Sequence, residues 1–314
     1  MSESLKSRLG QDELRTFLAV ARLRSFSAAA DLLHKSTSAI SYRIKTLEDS
    51  VAAPLFQRTT RSVTLTPSGE YLYEKASQIF DWLQTLPDEL KQVKEGIEPS
   101  FNLVINNLLY DSASVAVLLA HLAERFPYTA ISVRRAVYMG VWDQMLYNGG
   151  HLALGVPGFD SLHDDFLTTP LGSVNWVFVV APGHPLALSQ GPLGSDDLRV
   201  YPAINVEDTS VHITKRTAWR LPRQRELLVP DMQTKISCHV AGLGVGFLPA
   251  PIAGELSRQR LLVERPVVVG RLPSPLALAW RRVGAGQITA YLREFCVARD
   301  RIIQPFFAPI DPLI

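Results

Sequence analysis

Residues 25–49 read SFSAAADLLHKSTSAISYRIKTLED, and their spacing decides the fold of the head of the chain. Ser27 can cap a short helix over 28–33, where three successive alanines permit close helix–helix approach. His34 and Lys35 then make a tight turn, and Ser36 is a good N-cap for a helix over 37–49. Ile40, Ile44 and Leu47 fall at i, i+4 and i+7 and predict its buried face. Its outer face shows Thr37, Ser38, Ser41, Tyr42 and Lys45, four hydroxyls and a cation beside Arg43. Two short helices joined by a tight turn, the second polar outside, can enter a DNA major groove. A small helical bundle with a solvated face is the plainer alternative.

Working outward, Leu14, Phe17, Leu18 and Ala21 recur at helical spacing and predict a preceding helix over 12–22. Downstream, Val63 and Leu65 alternate behind the polar run Gln57-Arg58-Thr59-Thr60-Arg61-Ser62, which suits a β-hairpin wing. Arg58 and Arg61 would then lie near phosphates, or else in a solvated loop. Thr66-Pro67 reads as an N-cap with proline at the first helical position, where its missing N–H costs nothing. From there Leu72, Ala76, Ile79, Leu83, Leu86, Leu90 and Val93 follow a 4-3-4-3-4-3 spacing, an a/d seam. A helix over 67–94 would be about 42 Å long, too long to bury its stripe on the head alone. It needs a partner, and Pro87 predicts a kink or break near Leu86. Gly96 to Ser100 closes this segment, with Pro99 at the boundary.

Charge separates the head from the rest. Residues 1–69 hold ten Lys/Arg against six Asp/Glu, within a 314-residue chain of net charge +2. A basic head on a slightly acidic body points to a polyanion for the head alone. Cys238 and Cys296 fit neither a disulfide framework nor a zinc spacing, so a reduced, cytoplasmic setting is expected. The first ten residues are polar, with no signal-peptide core, and the stretch 169–195 is too broken by proline to span a membrane.

The remainder alternates strand and helix. Strands are expected at 101–105, 130–137 and 151–156, with helices at 114–126 and 141–147. A second unit follows, with strands at 176–181, 203–206 and 245–248 and a helix at 232–241. The chain then returns through a strand at 276–280 and a helix at 287–299. This predicts an α/β body with largely parallel sheets, in two lobes crossed twice by the chain. A ligand would lie between them at the strand ends. Asn106, Asn107, Tyr138 and Met139 are expected there from one lobe, and Asp208, Thr209, Ser210, Asp231 and Met232 from the other. Such amides, hydroxyls and carboxylates suit a neutral ligand rich in N–H and C=O groups. Lys215, Arg216 and Lys235 keep an anionic catabolite open, and simple helix capping by Asn106, Asn107 and Asp208 is the structural alternative. Gly242-Leu243-Gly244-Val245-Gly246 leaves a helix and enters a strand, the reverse of a dinucleotide fingerprint, so it predicts a C-cap.

Ser25 to Ala30, Ser36 to Ser41, Leu47-Glu48, Pro54-Leu55-Phe56, Arg58 and Leu65-Thr66 resemble the LysR-type regulator signature in order and spacing. His184-Pro185-Leu186-Ala187 and the run 241–249 extend the resemblance into the body. The sequence departs at Thr37-Ser38, where the family often has Gln-Pro, and at Tyr42, where it often has Arg. Longer runs, among them 105–111, 138–143, 170–176, 229–232 and 273–281, resemble regulators of allantoin- and purine-derived nitrogen utilisation. The resemblance implies a winged helix-turn-helix over 1–66, a dimerising linker over 67–98, and a periplasmic-binding-protein-like effector domain over 99–314. It also implies a homodimer or a dimer of dimers, operator DNA and RNA polymerase as partners, and allantoin or a related ureide as effector. DNA contacts would come from Ser36, Thr37, Ser38, Ser41, Tyr42, Arg43, Lys45, Arg58 and Arg61.

A catalytic reading finds no GxSxG, HExxH or GxxxxGK[ST] motif, and the seven histidines are scattered. No enzyme activity, cofactor or metal is expected.

Overall fold

The structure is a computed structural model that describes residues 9–58, 62–216 and 218–311. It divides into two units, Met1–Leu90 and Lys91–Ile314.

In the first unit, α1 (Gln11–Leu23) carries Asp12 and Glu13 in its first turn, where carboxylates complement the helix dipole. Helix α2 (Phe26–Leu32) is capped by Ser25 rather than the expected Ser27. Ser25 is extended and its Oγ accepts from Ala28 N at 3.2 Å, while the Phe26 ring packs edge-on against Phe56. Either serine has the chemistry of a cap; the packing of Phe26 as the first helical residue decides between them. Helix α3 (Thr37–Val51) is capped by Ser36 and buries Ile40, Ile44 and Leu47 as expected. The wing follows, with β1 (Phe56–Arg58) antiparallel to β2 (Val63–Leu65). The Glu48 carboxylate accepts from Leu55 N and Phe56 N at 2.8 and 3.2 Å, fixing where the wing leaves α3. Phe17, Val20, Ala29, Ile40, Ile44, Leu47 and Leu55 form the core.

Helix α4 (Pro67–Lys94) runs continuously through Pro87, so of the expected kink or break the break is absent. Proline forfeits one hydrogen bond, but helix on both sides holds the segment, and the Thr85 hydroxyl reaches the Trp82 carbonyl (3.0 Å) or Glu89 (2.8 Å). Its first turns lay Leu72, Ala76 and Phe80 on the head core. Further on, Ile79, Leu83, Leu90 and Val93 are exposed.

In the second unit the chain builds β3 (Ser100–Asn106), α5 (Ser112–Arg125), β4 (Ala130–Ala136), α6 (Gly140–Tyr147), β5 (Leu152–Pro157) and β6 (Phe166–Val174). It crosses at Asn175 into a second lobe of β7 (Trp176–Val180), α7 (Ser195–Arg199), β8 (Ala203–Val206), β9 (Glu226–Val229), α8 (Met232–Val240), β10 (Gly246–Pro249), α9 (Ala250–Arg258) and β11 (Val263–Glu264). It returns through β12 (Ser274–Arg281) to α10 (Gln287–Ala298) and a short 3-10 turn at Gln304–Phe307. The first lobe's sheet has the order β4-β3-β5-β12-β6; β3 is parallel to its neighbours, and β12 is antiparallel to both of its own. The second lobe has an antiparallel β10-β7-β11 sheet and a parallel β8–β9 pair, bridged at Ala203 and Val245. The sheets are therefore mixed, not largely parallel, because strands beside the crossings run against the rest.

Strand β6 escapes the alternation rule because Pro170 and Gly172 interrupt it, which an edge strand tolerates. Gly172 has φ +137°, and a Cβ there would stand 2.2 Å from the Asp311 carbonyl. Gly242, at φ +70° after α8, is the expected C-cap. The buried Glu98 carboxylate takes the N–H groups of Gly286, Ile288 and Thr289, closing the start of α10.

Candidate functional site

The first candidate site is the outer face of α3. Thr37, Ser38, Tyr42 and Lys45 are exposed, Tyr42 at 72%, directly opposite the buried isoleucines. Ser36 is spent on capping: its Oγ accepts from Ala39 N at 3.2 Å and lies 2.9 Å from Ser38 Oγ. Ser41 and Arg43 are half-buried, and the Arg43 guanidinium sits 3.2 Å from the Asp12 carboxylate of α1. Arg43 therefore has a partner already, though such a surface pair is weak enough to yield to a phosphate. Arg58 closes β1, and Arg61 lies outside the described residues.

The second is the junction of the two lobes, where the nine expected cleft residues come together. Most of their polar atoms are engaged. Asn106 Nδ2 donates to the Gly155 carbonyl at 2.7 Å and its Oδ1 accepts from Leu108 N. Asn107 Oδ1 accepts from Met232 N of the other lobe at 3.5 Å. The buried Asp208 carboxylate accepts from the N–H groups of Met139, Gly140, Ser210 and Arg216. Thr209 Oγ1 accepts from Val137 N at 2.9 Å, and Ser210 Oγ reaches the Ile213 carbonyl. Asp231 caps α8 through Thr234 N at 2.7 Å and pairs with Arg135 of the first lobe at 3.0 Å. The hydrogen bonds from Thr234, then Arg135, hold its carboxyl below the usual range. Tyr138 stands at φ +48°, an unusual conformation for a side-chain-bearing residue.

Beside these lie further groups that the sequence pattern marks weakly or not at all. The loop after β8 reaches back to α6, where the buried Asp143 carboxylate accepts from Val211 N and His212 N. Burial pushes that carboxyl up, but the His212 and Val211 bonds outweigh it and hold it low. Lys235 is 2% exposed on the inner face of α8; burial, then repulsion from Arg271, brings it down to about 7. His239, fully buried one turn on, is pushed down to about 3 by burial and then by Lys235. Arg271 lies 3.5 Å over the Trp176 ring, and Trp176 Nε1 donates to Ser274 Oγ at 2.9 Å where the chain crosses between lobes. A stripe of Met232, Lys235 and His239 at i, i+3 and i+7 was the available signal for a buried lysine. Nothing local marks Arg271.

Residues 11–70 match the family model "Bacterial regulatory helix-turn-helix protein, lysR family", and residues 109–299 match "LysR substrate binding domain". The chain belongs to the LysR family. Its expected combination of winged head and two-lobed α/β body is that of a LysR-type DNA-binding regulator with an effector domain. The HTH-type transcriptional activator AllS of Salmonella paratyphi A is 50% identical over 297 residues, covering 95% of this chain and 96% of that protein. AllS of Klebsiella pneumoniae is 48% identical over 263 residues, 83% and 97% of the two chains. The HTH-type transcriptional regulator PunR of Escherichia coli is 33% identical over 281 residues, 88% and 89%. Among solved structures, a Corynebacterium glutamicum OxyR C206 mutant shares the fold at a TM-score of 0.61 and 19% identity, covering 98% and 96%. No described helix of this LysR-family chain is long and apolar enough to cross a membrane.

Proposed function

We propose that this LysR-type regulator is a cytoplasmic transcriptional activator whose α3 reads an operator and whose lobes hold a small molecule from allantoin- or purine-derived nitrogen metabolism. The observation that carries the DNA reading is the division of α3 into a buried Ile40-Ile44-Leu47 face and an exposed face of Thr37, Ser38, Tyr42 and Lys45. In this reading Thr37, Ser38, Ser41, Tyr42 and Lys45 meet base edges, while Arg43, Arg58 and Arg61 hold phosphates. The segments 1–66, 67–98 and 99–314 act as DNA-binding head, dimerising linker and effector domain, and RNA polymerase is the partner of the DNA-bound form. Identity of 50% to AllS over nearly the whole chain, against 33% to PunR, favours the allantoin branch over another purine-related one.

A gel shift on the promoter region upstream of and divergent from the chain's own reading frame tests this. Lys45→Ala should cost about 1–3 kcal/mol and relax preference at one base pair. Arg61→Ala should weaken all sequences alike and reduce the salt dependence. Uniform weakening by both variants would remove Lys45 from the base-reading set.

A further inference from the structure

We propose that the interlobe site takes a small carboxylate, which binds Lys235 and Arg271 together as their missing counter-ion; this rests on the reading of the lobes as an effector domain. Lys235 is 2% exposed and projects from α8 one turn after Met232, whose N–H meets Asn107 of the other lobe. Arg271 lies on Trp176 at the crossing between lobes, and its Nη1 is buried with no hydrogen-bond partner among the described residues. Tyr138, Trp176 and Met232 pack into one apolar cluster, so both cations approach the same junction.

The acids nearby are committed elsewhere. Asp208 is saturated by four backbone N–H groups, and Asp231 by Thr234 and Arg135. His239, beside Lys235, is neutral and supplies no charge. Arg216, exposed nearby, adds a further cation and repels Arg271. A buried ammonium, and near it a guanidinium that has the Tyr138 side chain as neighbour but a buried, unpaired Nη1, are each costly without an anion. A carboxylate offers acceptor sites to both at once, and a neutral ureide leaves the charges unbalanced. The depression of Lys235 to about 7, caused by burial and then Arg271, is the strain that an anion would relieve.

The test is calorimetric titration of the full-length protein with allantoate, glyoxylate and the neutral allantoin. At least one of the two anions should bind, more tightly at pH 6 than at pH 8.5, because Lys235 loses its proton in between. Lys235→Met and Arg271→Gln should each weaken that anion by about tenfold or more, the loss of one charge-assisted hydrogen bond. Without ligand, Lys235→Met should melt higher than wild type; a lysine that merely supports the fold would melt lower when replaced. The wild-type pH dependence still decides the matter should a variant fail to fold. Allantoin bound equally by wild type and Lys235→Met would overturn the carboxylate and leave the sensing role standing. Silence from both anions at millimolar concentration would overturn it too. Operator binding by the wild-type chain, measured alongside, carries the regulator reading separately.

Discussion

At Lys235, burial and charge oppose each other with no carboxylate to offset them, and the consequence is a stability that depends on pH. The unfolded lysine holds its proton up to its ordinary 10.5, the folded one only to about 7. Between those values the unfolded chain binds more protons, so the folded state gains stability as pH rises, by up to roughly 1.4 kcal/mol per pH unit. Urea unfolding at pH 7, 8 and 9 should show wild type gaining on Lys235→Met across this window; parallel profiles would refute the buried charge. His239 acts on the acid side, where its neutral folded form costs stability as pH falls from 6.5 towards 3. Some residues are legible from sequence because their environment is local. Ser36, Ile40, Ile44 and Leu47 belong to one helix, and its period alone sorts them. Ser25 and Lys235 are not local in that sense. The first is chosen as cap by a ring across the domain, and the second is buried among elements that lie far from it along the chain.

Elements follow the same division. Helix α4 begins and ends where Thr66-Pro67 and the heptad spacing place it, because a long helix depends on its own repeat. Strands β9 and β11 and helix α9 leave no clear mark in the sequence pattern. Leu227 and Leu228 of β9 are exposed, so no alternation marks the strand, and β11 is two residues long. Helix α9 starts among Pro249 and Pro251, which reads as loop, although proline in a first turn gives up no helical hydrogen bond. Pro87 teaches the converse: a strong breaker inside a long helix did not end it. Past the head, the α4 stripe of Ile79, Leu83, Leu90 and Val93 lies in solvent, an arrangement that a second copy's stripe would relieve. Leu83→Glu places a charge in that seam and should shift a dimer towards monomer in sedimentation velocity at micromolar concentration. Wild type sedimenting as a monomer there would refute the seam.

On the scale of the whole sensing unit, polar contacts reach across from one lobe to the other. The loop after β8 leaves the second lobe and fastens to the first, with Thr209 on Val137, Asp208 on Met139 and Gly140, and Val211 and His212 on Asp143. Ile213 packs against the first lobe's core beside α6. Such a strap holds the lobes through hydrogen bonds whose loss, where it strands a buried group, costs about 1–3 kcal/mol each. A ligand that prefers the strapped form shifts the population towards it, and its apparent affinity falls in proportion to any fraction that opens. Asp143→Ala removes the acceptor for two backbone N–H groups and should cost about 1–3 kcal/mol at this junction. Hydrogen exchange of the 207–216 loop in the full-length protein should therefore speed up in the variant. Saturating effector should slow it again, at a higher concentration than wild type requires. Unchanged exchange in Asp143→Ala would mean that the apolar seat of Ile213 holds the loop without the carboxylate, and the strap would lose its place in the coupling between ligand and lobes.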